Sequence, residues 1–327
     1  MASKHNEDVE KAQSIEMHHR NAEIDTKDLI VDGAASKSRA IWSAIYSSFY
    51  CIASISMVAV NKVVVSNYQF SNTCFLLILQ SVATLGIAEV IQVKPKFNLD
   101  TAKKLLPLSL IYLVNVCFGL LAVRLLSIPV YTVIKRLTPL PTLVLDYIMR
   151  SKTQPPLAIF GVVLLILGPI ILAHGDLDYN LLGYLVGLGA VGLQALFLIA
   201  VSWNSDSGLL ETDLSWYNSL LTIPPLVIAM FVLESDVFSH QSWSETGFIP
   251  FLVVFALLGA TFLYSTILLT SRCSALSLTV VGQVKGLLQI YIGFLWFGEV
   301  RLLQGGFVGI ALSTLGAAIY AYAKFRR

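Results

Sequence analysis

The chain has 327 residues, of which 56% are hydrophobic and 13% charged, with a formal net charge of +2. Soluble domains carry about 45–50% apolar and about 25% charged residues. A mean hydropathy of +0.74 therefore excludes an ordinary soluble enzyme and points to an all-α integral membrane protein. Too little chain lies between the apolar runs for a soluble catalytic domain.

Residues 1–38 (MASKHNEDVEKAQSIEMHHRNAEIDTKDLIVDGAASKS) are polar, mixed in charge and poor in aromatics. Such a stretch buries too little apolar surface to offset its ordering entropy, so it reads as a disordered cytosolic tail. His5, His18 and His19 fall here and read as solvated residues of that tail. Residues 39–327 form the second domain. A crossing helix needs about 20 mostly apolar residues, and ten stretches qualify: 41–65, 72–93, 105–125, 127–148, 156–174, 181–202, 213–234, 248–270, 274–297 and 303–323. Pro139 and Pro141 in the fourth, and Pro224 and Pro225 in the seventh, remove backbone donors and permit kinks. Cys51, Cys74, Cys117 and Cys273 lack CxxC spacing and read as free packing residues.

With the N-terminus inside, the inner connections hold Lys94, Lys96, Lys103, Lys104, Arg150, Lys152 and Arg272, and the C-terminus adds Lys324, Arg326 and Arg327. The outer HGDLDYN (174–180) and ESDVFSHQSWSETG (234–247) carry no Lys or Arg, and Arg301 is the outer exception. Excess Lys and Arg mark cytosolic loops, so both termini are expected in the cytosol.

The chain also repeats itself. Leu126, Ser127, Val130 and Lys135 of LSIPVYTVIK recur as Leu276, Ser277, Val280 and Lys285 of LSLTVVGQVK. GVVLLILGPIILA (161–173) likewise aligns with GIALSTLGAAIYA (309–321), bringing Gly161 onto Gly309 and Gly168 onto Gly316. The fourth span thus matches the ninth and the fifth the tenth. Two five-helix halves follow, about 41–174 and 181–323. Because five is odd, the second half is inverted, which is a transporter architecture with its site near the midplane between repeats.

Lys135 and Lys285 are repeat-related and expected to be buried. A lysine at a helix centre costs ~2.5–3.5 kcal/mol on insertion scales. Two readings stand: a cation pair for an anionic substrate, or pairing with an internal carboxylate, for which Asp146 and Glu299 are the candidates. Arg136 adjoins Lys135, and helix neighbours face about 100° apart, so one faces the cavity and the other a neighbouring helix or the interface. Asn61, Gln80, Asn115 and Gln194 are further polar residues inside spans, each readable as an interhelical hydrogen-bond partner. Tyr217 and Asn218 together could stack on a nucleobase and bond its edge. No metal-ligand, phosphate-loop or nucleophile–base pattern is present.

Four stretches carry a resemblance: VAVNKVVVSNYQF (58–70), SIPVYTVIKRLTPL (127–140), SWYNSLLTIP (215–224) and SALSLTVVGQVKGLLQIYIG (274–293). Over nearly all of 40–323 the chain resembles the nucleotide-sugar transporters of the drug/metabolite transporter superfamily. It is most similar to the branch with the UDP-glucuronic acid/UDP-N-acetylgalactosamine transporters. The resemblance implies ten helices, a Golgi or endoplasmic reticulum membrane, and exchange of a cytosolic UDP-sugar for lumenal UMP. It places Tyr217 and Asn218 at the nucleobase end of the site, Lys285 with Gly282 and Gln283 at the phosphate–sugar end, and Lys135 and Arg136 as a basic pair, with Asn61 nearby. Where GDP-mannose carriers have GALNK and FYNN this chain has GQVK and WYNS, which favours UDP-sugars over the GDP-sugar/GMP alternative. A sugar-phosphate/phosphate translocator of the same superfamily and a scaffold without transport remain open. The expected partners are the UDP-sugar, UMP and membrane lipid. No nucleic acid and no cofactor is expected, and assembly as a homodimer stays open.

Overall fold

The computed structural model describes residues 38, 41–126, 128–151, 153–172, 181–234, 236–297 and 306–325. Residues 1–37 of the expected tail, Arg301 and Glu299 lie outside them. Two compact units divide at Ile45/Tyr46; the first, Met1–Ile45, contributes the opening turn of α1 to the description, and the second, Tyr46–Arg327, holds the helices that follow. The helices are α1 (Ile41–Asn67), α2 (Thr73–Val90), α3 (Leu99–Leu125), α4 (Ile128–Arg136), α5 (Pro139–Arg150), α6 (Pro156–Leu172), α7 (Leu181–Asp206), α8 (Glu211–Leu233), α9 (Phe248–Arg272), α10 (Ala275–Phe297) and α11 (Gly306–Phe325). Among the described residues there is no strand. Helices lie on all ten predicted stretches, and α1, α2, α3, α7, α8 and α9 are long and apolar enough to cross a membrane. This is an all-helical membrane protein.

The fourth stretch, expected as one span, is two helices meeting at Leu137–Thr138. The prolines cause the break. In a continuous helix the residue-139 N–H would bond the Lys135 carbonyl, and the residue-141 N–H the Leu137 carbonyl, but proline has no N–H. Thr138 N donates to Lys135 O instead (3.2 Å), and Leu140 N to Leu137 O (3.0 Å). That leaves Arg136 O, whose helical donor would have been Leu140 N. By contrast α8 continues through Pro224 and Pro225.

Elsewhere local chemistry sets the ends. Asn98 Oδ1 accepts from Asp100 N (2.9 Å) to cap α3, while Arg124 lies in its last turn. This charge order suits the helix dipole. Gly247, at φ 89°, opens α9 in a left-handed conformation suited to glycine.

α6 and α11 form the most extensively packed helix pair among the described residues. They are antiparallel, because Gly161 meets Gly316 and Tyr320 while Gly168 meets Gly309 and Ser313. A Cβ on Gly161 would fall 2.8 Å from Gly316 O, and one on Gly316 would fall 2.5 Å from Leu165 N. Ser313 Oγ also donates to Leu165 O across the pair (3.2 Å). Small residues let the backbones approach this closely. One interhelical hydrogen bond follows the sequence reading, Asn115 Nδ2 donating to Gln194 Oε1 (2.8 Å) and joining α3 to α7; the Gln80 side chain packs on Gly259 of α9.

Both ends of the bundle are tied. At one, Glu234 accepts from Cys74 N (2.8 Å) and Phe75 N (3.1 Å), capping α2 from the end of α8. Ser242 Oγ donates to Tyr68 O, and Phe70, Trp243 and Phe248 stack above. At the other end Arg272 pairs with Glu211 (2.7 Å), and Arg150 bonds Asp146 (3.3 Å), Ser202 and Asp206.

Candidate functional site

The site is built on α10. Gly282, Lys285 and Gly286 are spaced i, i+3, i+4 and share one helix face. That face looks toward α1 and the α4 end. Lys285 Nζ donates to Ser54 Oγ of α1 at 2.7 Å and lies 5.9 Å from the centre of the Tyr50 ring. A Cβ on Gly282 would sit 3.6 Å from the Tyr50 hydroxyl, so the glycine leaves the tyrosine room. A Cβ on Gly286 would lie 3.6 Å from Arg136 Nη2, so the Arg136 guanidinium rests against this glycine.

Gln283 takes a different role. Its Nε2 donates to Arg136 O (3.1 Å), the carbonyl the proline break had stripped of its donor. A buried carbonyl without a partner would be costly in hydrocarbon. Gln283 thereby pins α10 to the break and holds Arg136 beside Lys285.

Arg136 and Lys135 diverge as neighbours on a helix must. Arg136 faces α10. Lys135 is exposed, with its Nζ over the Tyr131 ring at 5.1 Å. The expectation that Lys135 is buried is thus corrected: its side chain lies against the Tyr131 ring one turn back on its own helix and turns away from α10.

Lys285 and Arg136 therefore come together where α1, α4 and α10 meet, with Lys135 next to Arg136 in the chain at the end of α4, and among the described residues no carboxylate pairs with any of the three. Of the expected internal carboxylates, Asp146 is buried and pairs with Arg150. A basic cluster without a carboxylate partner among the described residues can neutralise a phosphate or diphosphate. Asn61 is exposed on α1, about 10 Å beyond Ser54 and on the same helix face.

Tyr217 and Asn218 are elsewhere, on α8, which packs on α2, α3 and α9, whereas α10 packs on α5, α9 and α11. Tyr217 is buried in the core with Ala102, Leu105 and Leu214. Its hydroxyl accepts from Asn98 N (2.8 Å) and reaches Lys96 O (3.3 Å), fixing the α2–α3 connection. Asn218 is 1% exposed, and neither its Oδ1 nor its Nδ2 has a partner among the described residues. The same holds for Ser219 Oγ beside it.

Sequence reasoning passed over Ser54 and Tyr50. A serine or tyrosine in an apolar run carries no signal of its own. The available hint was spacing, since Tyr50 and Ser54 are i, i+4 on one face of α1.

Fold and site together define a helical membrane protein with basic residues where α1, α4 and α10 meet. No protein-family model matches the sequence. The chain is 34% identical over 289 residues to the Arabidopsis thaliana UDP-galactose/UDP-glucose transporter 7, covering 85% of this chain and 88% of that protein. It is 30% identical over 302 residues to the human nucleotide sugar transporter SLC35D2, covering 89% and 88%. A GDP-mannose transporter of Phaeosphaeria nodorum matches at 26% identity, covering 85% and 80%. The chain belongs to the nucleotide-sugar transporters. A solved crystal structure matches with a TM-score of 0.64 at 13% identity, over 84% of this chain and 98% of that one, and shows the shared fold.

Proposed function

We propose that the protein is an antiporter that brings a UDP-sugar from the cytosol into the Golgi or endoplasmic reticulum lumen in exchange for UMP. Its ten helical stretches all cross the membrane as two inverted five-helix repeats, with both termini cytosolic. The observation that carries the reading is the Lys285–Arg136–Lys135 cluster with no carboxylate partner among the described residues. A UDP-sugar brings about two negative charges on its diphosphate, and charge-assisted contacts to Lys and Arg are strong where water is scarce. Empty, the cluster resists crossing; loaded, two of its three charges are offset, and alternating access couples the two fluxes.

The crossing of α6 and α11 supports the inverted repeat. Gly161 and Gly168 correspond to Gly309 and Gly316 in the aligned segments, and in space Gly161 meets Gly316 while Gly168 meets Gly309. Such a reciprocal contact is what a two-fold axis in the membrane plane produces. The name of the plant relative, with GQVK and WYNS in place of GALNK and FYNN, favours uridine over guanine. The unpartnered amide of Asn218 is assigned to the nucleobase edge. Tyr217 positions it by anchoring α8 to the α2–α3 connection.

The test is exchange in proteoliposomes preloaded with UMP, GMP, CMP or phosphate, with labelled nucleotide sugars outside. Uptake driven by UMP alone is the expected result, and Lys285→Ala abolishes it while the protein stays monodisperse in detergent. Exchange driven by GMP or by phosphate alone overturns the UDP-sugar assignment. Wild-type exchange by Lys285→Ala overturns the role of the cluster.

A further inference from the structure

We infer that Ser54 is the resting partner of Lys285, a hydroxyl that holds the ammonium while the site is empty and yields it to the incoming phosphate. The inference rests on the proposed transport of a phosphate-bearing substrate. Lys285 has one direct hydrogen-bond acceptor among the described residues, and it is Ser54 Oγ at 2.7 Å. Ser54 is itself 2% exposed. It sits on α1, and Lys285 on α10, 231 residues away in sequence, so the bond joins the two proposed halves.

A half-buried ammonium with three donors and, among the described residues, no carboxylate partner must find other acceptors. A neutral hydroxyl satisfies one donor without cancelling the charge. A phosphate oxygen is a better acceptor, because a charge-assisted bond is roughly twice as strong as a neutral one. The exchange of partners is therefore favourable, but the hydroxyl competes and weakens apparent affinity for phosphate-bearing ligands. The Tyr50 ring, 5.9 Å from Nζ, supports the ammonium in either state. Ser54 acts through Lys285 and is a positioning residue.

Ser54→Ala removes the competitor. In the reconstituted full-length carrier its KM for UDP-sugar and for UMP should fall roughly three- to tenfold, with maximal exchange within about twofold of wild type. Inhibition by uridine, which has no phosphate to offer Lys285, should be unchanged. Ser54→Thr keeps the hydroxyl and should behave as wild type. If Ser54→Ala does not fold, Ser54→Cys, of similar size and a poorer acceptor, should lower KM in the same direction. An unchanged KM overturns the inference. A raised KM does so as well, since Ser54 would then bind the substrate itself, and so does a shift shared by uridine or by Ser54→Thr, which would mark a packing effect. If Lys285→Ala abolishes exchange while Ser54→Ala has a wild-type KM, this inference alone fails and the transport reading stands.

Discussion

Gly316→Ala tests the α6–α11 crossing directly. The added Cβ would lie 2.5 Å from Leu165 N and 2.6 Å from Gly161 O, both backbone atoms that cannot swing aside. Ordinary contact between carbon and its neighbours is about 3.5–4 Å, so the two helices must part by about 1 Å. Parting loosens every contact along the most extensively packed pair in the bundle. Overpacking of this kind costs about 1–3 kcal/mol, and in lipid close packing is the main force holding helices together. Gly192→Ala on α7 is the matched control, because nothing lies within 4 Å of its added Cβ. There the substitution gains helix propensity of about 1 kcal/mol. Melting temperatures of the purified variants in one detergent should therefore move in opposite directions, Gly316→Ala down and Gly192→Ala level or up. Gly161→Ala, the reciprocal position, should fall with Gly316→Ala. Equal melting temperatures for Gly316→Ala and Gly192→Ala would refute the reasoning, and so would a stabilised Gly161→Ala.

Two other sites separate architecture from substrate binding. Tyr217→Phe keeps the ring but strips Asn98 N of its acceptor, so a melting temperature lowered by a loss of about 1–3 kcal/mol should accompany an unchanged KM for UDP-sugar in the exchange assay; a raised KM at full stability would place the hydroxyl on the substrate. Arg150→Ala leaves Asp146, 1% exposed, without its guanidinium, and breaking a buried pair from one side costs about 3–5 kcal/mol; size-exclusion profiles should show little folded protein, with partial recovery in Arg150→Lys, and a well-folded Arg150→Ala would show that the Asp146 pairing is dispensable.

How much of this was legible in the sequence depends on the kind of force involved. Hydropathy read the helical stretches, because partition into lipid depends on each segment alone. The lone charge of Lys285 was legible for the same reason: an ammonium in an apolar run is expensive wherever the chain goes next. The break at Leu137–Thr138 was half legible. Pro139 and Pro141 announced a lost donor, but a kinked single helix satisfies the same two prolines, as α8 shows with Pro224 and Pro225. What decided between them was the supply of substitute donors, and one of those, Gln283 Nε2, comes from another helix. Partnerships of that kind have no local signature. Gln283 reads in sequence as a substrate residue beside Lys285; two residues along a helix turn the side chain by about 200°, and its Nε2 bonds a backbone carbonyl. Tyr217 and Asn218 parted in the same way, one bonded into a loop and the other left with an open amide.

Ser54 shows the limit most clearly. A serine inside a span ordinarily bonds its own helix at i−4, as Ser215 does with Glu211 O. Nothing in the sequence distinguishes that serine from one whose hydroxyl serves a lysine on a distant helix. The repeat, conversely, was legible as a pattern of identities before its meaning was. Gly161, Gly168, Gly309 and Gly316 align in sequence as two parallel copies, but they touch crosswise, first with last. Two copies that ran the same way through the membrane would have to be turned over before their glycines could meet antiparallel along a straight crossing. In the proposed inverted repeat, an odd number of helices per copy does that turning.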